Sequence, residues 1–423
     1  MNKKTVRDID LKGKKVIMRV DFNVPLNEAH AITDDTRIKA AEPTIKYILE
    51  QGAALILMSH LGRPKGKGYE ADFSLKPCCD YLAKDLGIQV KFAPDCLNAD
   101  AEAAALQPGE VLMLENTRFY KAEEGKAKKT DEMTDDEYAA KKAEMKAAKQ
   151  EMAKKLATYA DIYVNDAFGT AHRDHASTAS ICKYIKAKGG ACVAGFLLEK
   201  EINFLGNAVE NPAKPFVAII GGAKVSGKLE VLQNLIKKVD VLLIGGGMAY
   251  TFLKAQGHDI GKSLVEEELL DTARATVEAA KANNVDFELP VDNVAADAFA
   301  NDAKTQVVGD DIPADYMALD IGPKTIEKYA SLIAGAKTIV WNGPMGCFEM
   351  SNFAKGTFGV CQAVADATQK NGAVSIIGGG DSVSAVKHSG LSAQMTHIST
   401  GGGASLEYLE GKALPGCVAL DDK

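Results

Sequence analysis

Three glycines followed by an acid, Gly378-Gly379-Gly380-Asp381-Ser382, stand directly after the apolar run Ala373–Ile377. The run reads as a buried strand, and Ser382–His388 reads as the opening of a helix. At such a turn, glycines let backbone N–H groups come up to an anion, and the helix start adds roughly half a positive charge. Asp381 is placed to hold a metal ion beside phosphates. A second run, Thr400-Gly401-Gly402-Gly403-Ala404-Ser405, follows Met395–Ser399. The two cradles point to a phosphoryl group handled from more than one side.

Cationic residues gather elsewhere. Ser59-His60-Leu61-Gly62-Arg63-Pro64 offers a His and an Arg on one turn, and Arg118 in ENTRF and Arg173 in GTAHRDH repeat the theme. Guanidinium forks match phosphate or carboxylate. Arg37 opens a predicted helix after Asp34 and Asp35, either of which is a ready partner. In Arg19-Val20-Asp21-Phe22-Asn23, Asp21 and Asn23 share a face and can accept hydrogen bonds from a substrate hydroxyl, though both are also ordinary turn residues. Gly222, four residues and Gly227-Lys228 approach the P-loop pattern, but Leu229 stands where a Ser or Thr should hold magnesium, so a P-loop NTPase is not expected. Gly257–Ser263 is a second decoy, one residue short. Lys224 and Lys228 are four apart, so on an early helical turn both would face one phosphate chain; otherwise they are surface lysines. In Trp341–Glu349, Glu349 is placed to accept from ribose hydroxyls.

Short apolar runs position these groups: Lys15–Val20, Ala54–Met58, Val111–Leu114, Ile162–Val164, Phe216–Ile220, Val241–Ile244, Tyr316–Asp320, Thr338–Trp341 and Ala373–Ile377. Amphipathic segments such as Thr36–Gln51, Lys228–Lys238 and Thr325–Leu332 lie between them. This alternation predicts parallel sheets with crossover helices, with ligands beyond the carboxyl ends of the strands. The helical segment Glu199–Val209 and the proline-bounded Asn211–Pro215 divide the chain. The first half has basic strand ends (Arg19, Arg37, His60, Arg63, Arg118, His172, Arg173) and the second glycine-rich ones. One half is suited to a small multi-anionic molecule, the other to nucleotide phosphates. Lys121–Lys155, a charged Ala-rich insert of both signs, reads as a solvated surface helix.

A chain of 423 residues exceeds one ordinary core, and a net charge of −7 argues against non-specific nucleic-acid binding. Eight cysteines without C-x-x-C or His/Cys ligand spacing read as free, mostly buried thiols of a reducing compartment. No stretch reaches membrane-spanning length, and the expectation is a soluble cytoplasmic protein with no membrane partner.

Taken in order, RVDFNVP, SHLGRP, ENTRF, NDAFGTAHR, GGAKVSGK, GGGMAYTF, WNGPMGCFE, GGGDS and HISTGGGASLEYL resemble the phosphoglycerate kinase family from Arg19 to Leu409. The resemblance implies two Rossmann-like α/β domains with parallel sheets flanked by helices, joined by a hinge helix across a cleft. The implied boundaries are 1–195, with a tail from about 406–423 packing back on it, then 196–212 as hinge and 213–405. It implies glycolytic phosphoryl transfer between ATP and 3-phosphoglycerate, giving ADP and 1,3-bisphosphoglycerate, with Mg2+ and in a monomer. By motif, Asp21, Asn23, Arg37, His60, Arg63, Arg118 and Arg173 correspond to the glycerate-binding set. Lys228, Ala318, Glu349, Gly379, Gly380, Asp381 and Ser382 correspond to the nucleotide set, with Asp381 at the magnesium. Arg37, Lys224, Gly380 and Gly402 correspond to the groups that stabilise transfer. Departures are Ser382 for Thr, Gly227 for Asp and Ala318 for Gly. The competing readings are an unrelated two-domain transferase or ATPase, and a non-catalytic relative acting as a binding protein, which should have lost Lys224, Arg37 or Asp381.

Overall fold

The apolar runs become strands of two parallel sheets in the computed structural model, which describes residues 2–423. In chain order the first sheet takes β1 (Lys15–Arg19), β2 (Ala54–Met58), β3 (Val90–Ala93), β4 (Val111–Leu114), β5 (Ile162–Asn165) and β6 (Cys192–Ala194). Their spatial order is β3-β4-β2-β1-β5-β6, with every pair parallel. β1, β2, β4 and β5 are near-continuous apolar runs because helices cover both faces. Helix Thr36–Glu50 shows how they are covered: Ile38, Ala41, Ile45 and Ile48 recur at three- and four-residue intervals and pack on Val16, Met18 and Leu55. Burying each isoleucine stabilises the unit by about 1.5–3 kcal/mol.

The later strands are β7 (Phe216–Ile220), β8 (Val241–Ile244), β9 (Asp286–Glu288), β10 (Asn293–Ala296), β11 (Thr305–Val308), β12 (Met317–Ile321), β13 (Thr338–Asn342), β14 (Val374–Gly378) and β15 (His397–Ile398). Six of them form the parallel sheet β15-β14-β13-β7-β8-β9. The run Tyr316–Asp320 is not part of it. As β12 it pairs antiparallel with β10, in a separate sheet of order β11-β10-β12.

Contacts divide the chain into Met1–Ile202 with Ala413–Lys423, and Asn203–Lys412. Helix Phe196–Glu210 contributes residues to both units. The tail rejoins the first unit at Ala413, where Asp421 N–H donates to Cys192 O (2.8 Å) and Gly416 N–H to Ala171 O (2.8 Å). Residues 406–412 stay with the second unit instead: Asn234 donates to Leu409 O (2.6 Å), and Lys412 pairs with Glu230. The insert's helix, Asp135–Ala157, differs from a fully solvated one, since Met145, Lys149, Met152, Ala153 and Leu156 are covered. All eight cysteines are free and seven are buried. Among the described residues no helix is long and apolar enough to cross a membrane.

Candidate active site

In both sheets the strand order places a topological switch point at the carboxyl edge, between β1 and β5 in the first and between β13 and β7 in the second. Arg19 is level with Met58 and with Asn165, so the loops after β1, β2 and β5 leave the first sheet side by side. They carry Asp21 and Asn23, His60 and Arg63, and His172 and Arg173, with Arg118 following β4.

Arg19 is fully buried, and among the described residues its hydrogen-bond partners are neutral: Ser177 Oγ (2.8 Å), the Val20 carbonyl and His60 Nδ1 (3.1 Å). Burial first, then the charges of Arg19, Arg118 and Arg37, holds His60 well below the usual imidazole range. Arg37 Nη1 meets Asp21 Oδ2 at 2.9 Å, so its carboxylate partner comes from the loop after β1 rather than from its own helix start. Asn23 Oδ1 accepts from Gly62 N–H (2.8 Å), which fixes the side chain and leaves its NH2 to donate and a second lone pair to accept from a ligand. Arg118 donates to Gly62 O (3.1 Å) and lies 3.7 Å from Glu124, while its Nε is buried without a hydrogen-bond partner. Arg63 and Arg173 are exposed. A ligand offering several anionic oxygens would satisfy this group.

Burial, then Arg173, Lys126 and Arg118, lowers His172 to about 4; burial, then Arg118, Arg19, Lys126 and Arg173, lowers His175 to about 2. Unfolded imidazoles protonate near their ordinary 6.5, so these two bind more protons unfolded than folded as pH falls below that value. Their contribution is therefore lost as pH drops from 6.5 toward 4. His175→Asn removes one such liability: in denaturant titrations the wild type is expected to lose stability relative to the variant across that window. Parallel curves would contradict a neutral His175.

At the second switch point the loops after β7 and β13 touch backbone to backbone. Gly343 has φ +101°, and a Cβ there would sit 2.0 Å from Gly221 O, so only glycine fits. Above them opens a cavity of about 550 Å3. Glycines 222, 246, 247 and 346 line one part, and Leu264, Phe299, Met317, Ala318 and Leu319 another, with Glu349, Lys262 and Asp381 at its polar edge. Apolar walls for a flat ring beside glycine backbone for phosphates match a nucleotide. Phe299 and Leu264 are 66% and 57% exposed, surface that a ligand would cover. Cys347 also lines the cavity, and burial raises its thiol to about 11, which argues against a thiolate nucleophile.

Beside the cavity, helix Gly380–Ser389 opens at the Gly379 turn and helix Gly402–Leu409 at Gly401. The first ladder bonds run from Val383 to Gly379 O (3.0 Å) and from Ser405 to Gly401 O (2.9 Å), leaving the preceding amides as the donors every helix start presents. A Cβ on Gly380 or Gly402 would meet nothing within 4 Å, so space lies open before both. The Ser382 hydroxyl is buried and accepts from Gly343 N–H (2.5 Å), tying the β13 loop to the helix; its own O–H is not used in that bond and can donate to a phosphate beside the backbone amide. Ala318 N–H is likewise engaged by Ser263 Oγ (2.9 Å), so Ala318 offers a wall rather than a donor.

Lys224 and Lys228 do not share a helical turn. The helix begins at Leu229, Lys228 caps it, and Lys224 stands exposed in the loop, which Glu266 holds through Ser226 (3.0 and 2.5 Å). Lys228 Nζ reaches Asn342 Oδ1, and burial lowers its ammonium against the opposing pull of Asp381 and Glu410. Asn342 Nδ2 is buried without a partner beneath the Gly378–Gly379 turn. That side chain was legible only as part of WNGP, and His175 and Lys126 only as parts of AHRDH and the charged insert. Among the described residues no group of three His, Cys, Asp or Glu could hold a metal ion. The single Asp381 at a helix start fits magnesium carried on nucleotide phosphates, which keeps most of its shell in phosphate oxygens and water.

Two doubly wound units, one with arginines and histidines gathered at its strand ends and one with a glycine-walled cavity, fit a two-substrate phosphotransferase of the kinase class. The family model for phosphoglycerate kinase matches residues 6–412. Relatives named phosphoglycerate kinase include that of Chloroherpeton thalassium, 52% identical, and that of Acidobacterium capsulatum, 55% identical; each alignment covers 100% of both chains. A wheat (Triticum aestivum) relative named as the cytosolic enzyme is 53% identical over 99% of this chain and 98% of its own. The solved phosphoglycerate kinase of Coxiella burnetii superposes with a TM-score of 0.86 at 43% identity, covering 99% of this chain and 98% of that one. This chain belongs to the phosphoglycerate kinase family.

Proposed function

We propose that the protein catalyses reversible transfer of the γ-phosphoryl group of ATP to the carboxylate of 3-phosphoglycerate, giving ADP and 1,3-bisphosphoglycerate, a step of glycolysis. The observation that carries this reading is the pairing of guanidinium groups with imidazoles held neutral in one unit, and open helix-start amides in the other. The acceptor is already an anion, so no side chain has to remove a proton; the chemistry calls for positioning and charge neutralisation. Asp21, Asn23, His60, Arg63, Arg118 and Arg173 bind the glycerate in this account. Lys228, Ala318, Glu349 and the 379–382 turn bind the nucleotide. Arg37, Lys224 and the amides of Gly380 and Gly402 offset charge on the moving group, and Asn342 Nδ2 is an additional donor to the phosphates. Magnesium bound with the nucleotide would neutralise phosphate charge beside Asp381.

Each substrate is assigned to its own unit, so transfer requires the reacting oxygen and phosphorus to be brought in line. Helix Phe196–Glu210 and residues 211–215 are the segments assigned to that hinge. Both sites come from one chain, which supports a monomer, and the wheat relative's name supports a cytosolic setting. Retention of Arg37, Lys224 and Asp381 speaks against a non-catalytic relative. ADP release from MgATP tests the proposal: strict dependence on 3-phosphoglycerate is expected, and release at the same rate without it would overturn the reading.

A further inference from the structure

We propose that Lys126, in the charged insert, is a further binding residue for the anionic substrate, standing at the edge of the first unit's cluster of arginines and histidines, beside Arg118 and Arg173. The inference rests on the phosphoglycerate reading above and gives the insert a function there. The three residues before Lys126 are each fastened to a neighbour of the cluster: Ser177, Arg118 and Lys149. Glu123 is fully buried and accepts from Ser177 N–H (3.1 Å) and Ser177 Oγ (2.5 Å), the same hydroxyl that takes Arg19 Nε. Glu124 lies 3.7 Å from Arg118 Nε. Gly125 turns with φ +61°, and a Cβ on it would be 2.8 Å from Lys149 Cβ. Lys149 in turn holds Asp174 through its carbonyl (2.9 Å) and carboxylate (2.8 Å), one residue beyond Arg173.

The turn is thus pinned on three sides, and it delivers Lys126 exposed, with no side-chain hydrogen bond or ion pair among the described residues. Its charge acts on His172 together with those of Arg173 and Arg118, and on His175 together with those of Arg118, Arg19 and Arg173. Arg37 and Arg118 already have carboxylates near them, whereas Lys126 is unmatched. An unmatched cation at the edge of such a cluster strengthens binding of a ligand carrying both phosphate and carboxylate charge, and does so more at low salt.

The test is calorimetric titration of 3-phosphoglycerate into the full chain, as wild type, Lys126→Ala and Lys126→Arg, with steady-state kinetics alongside. Lys126→Ala should weaken 3-phosphoglycerate binding about 3- to 10-fold at low salt, the range of one partly screened charge pair. KM for 3-phosphoglycerate should rise by a similar factor with kcat and MgADP affinity unchanged. Lys126→Arg should restore binding, and the difference should shrink as salt screens it. Unchanged 3-phosphoglycerate affinity in Lys126→Ala would overturn the proposal. So would an equal loss of MgADP affinity and thermal stability, the mark of a merely structural residue. A wild type that binds no 3-phosphoglycerate would overturn the parent reading and this one together.

Discussion

Replacing Arg37 with alanine is expected to lower kcat about a hundred- to a thousand-fold, the usual consequence of losing one donor aimed at developing charge. The guanidinium sits at the second residue of helix Thr36–Glu50 and leans on Asp21, which fixes its direction without burying it; its side chain is 38% exposed. Removing it breaks a partly exposed ion pair worth about 0–1 kcal/mol, so folding should survive. KM for MgATP should stay within about twofold, because binding of the nucleotide is assigned to the other unit. Arg37→Lys should recover only part of the loss, since an ammonium keeps the charge but not the planar fork. A kcat for Arg37→Ala within a few-fold of wild type would remove this side chain from the transfer step.

Asp381→Asn carries the second large effect, a loss of about a hundred-fold or more in kcat/KM for MgATP with 3-phosphoglycerate binding unchanged. The substitution keeps the shape of the side chain and removes the one carboxylate at the polar edge of the cavity that stands at a helix start. It also takes away a charge that supports the ammonium of Lys228. The cost to folding is expected to be about 0.3–1 kcal/mol, the value of an acid near a helix N-terminus. Titration with MgADP reads the effect directly. Equal MgADP affinity in wild type and variant would show that the metal–nucleotide complex is held elsewhere.

Much of the frame was legible because strand-end chemistry is local. DFN, SHLGRP, GGGM and GGGD each announce a turn at the end of an apolar run, and β1, β2, β8 and β14 fall on those runs. Pairing is not local, and there the sequence is silent: Tyr316–Asp320 looks like any other buried strand, yet β12 lies in an antiparallel sheet with β10 and β11. The shortest strands, the three-residue β6 and β9 and the two-residue β15, carry too few residues for a periodic signal. At the site, residue types pointed to anion binding, but partners depend on the fold. Asp21 rather than Asp34 or Asp35 receives Arg37, and the Ser382 hydroxyl accepts from Gly343 N–H. The four-residue spacing of Lys224 and Lys228 failed because the helix starts one residue after Lys228. Lys126 was hidden in a stretch of mixed charge, since only tertiary anchoring by Glu123 and Gly125 distinguishes it from its neighbours.

The most direct measurement follows the phosphorus itself. Phosphorus NMR of MgATP and 3-phosphoglycerate with catalytic amounts of the full chain should show ADP and an acyl phosphate on the glycerate carboxyl growing together. Inorganic phosphate should stay at the level seen without protein. Release of inorganic phosphate in place of the acyl phosphate, or an unchanged ATP spectrum from folded protein, would contradict transfer to the carboxylate.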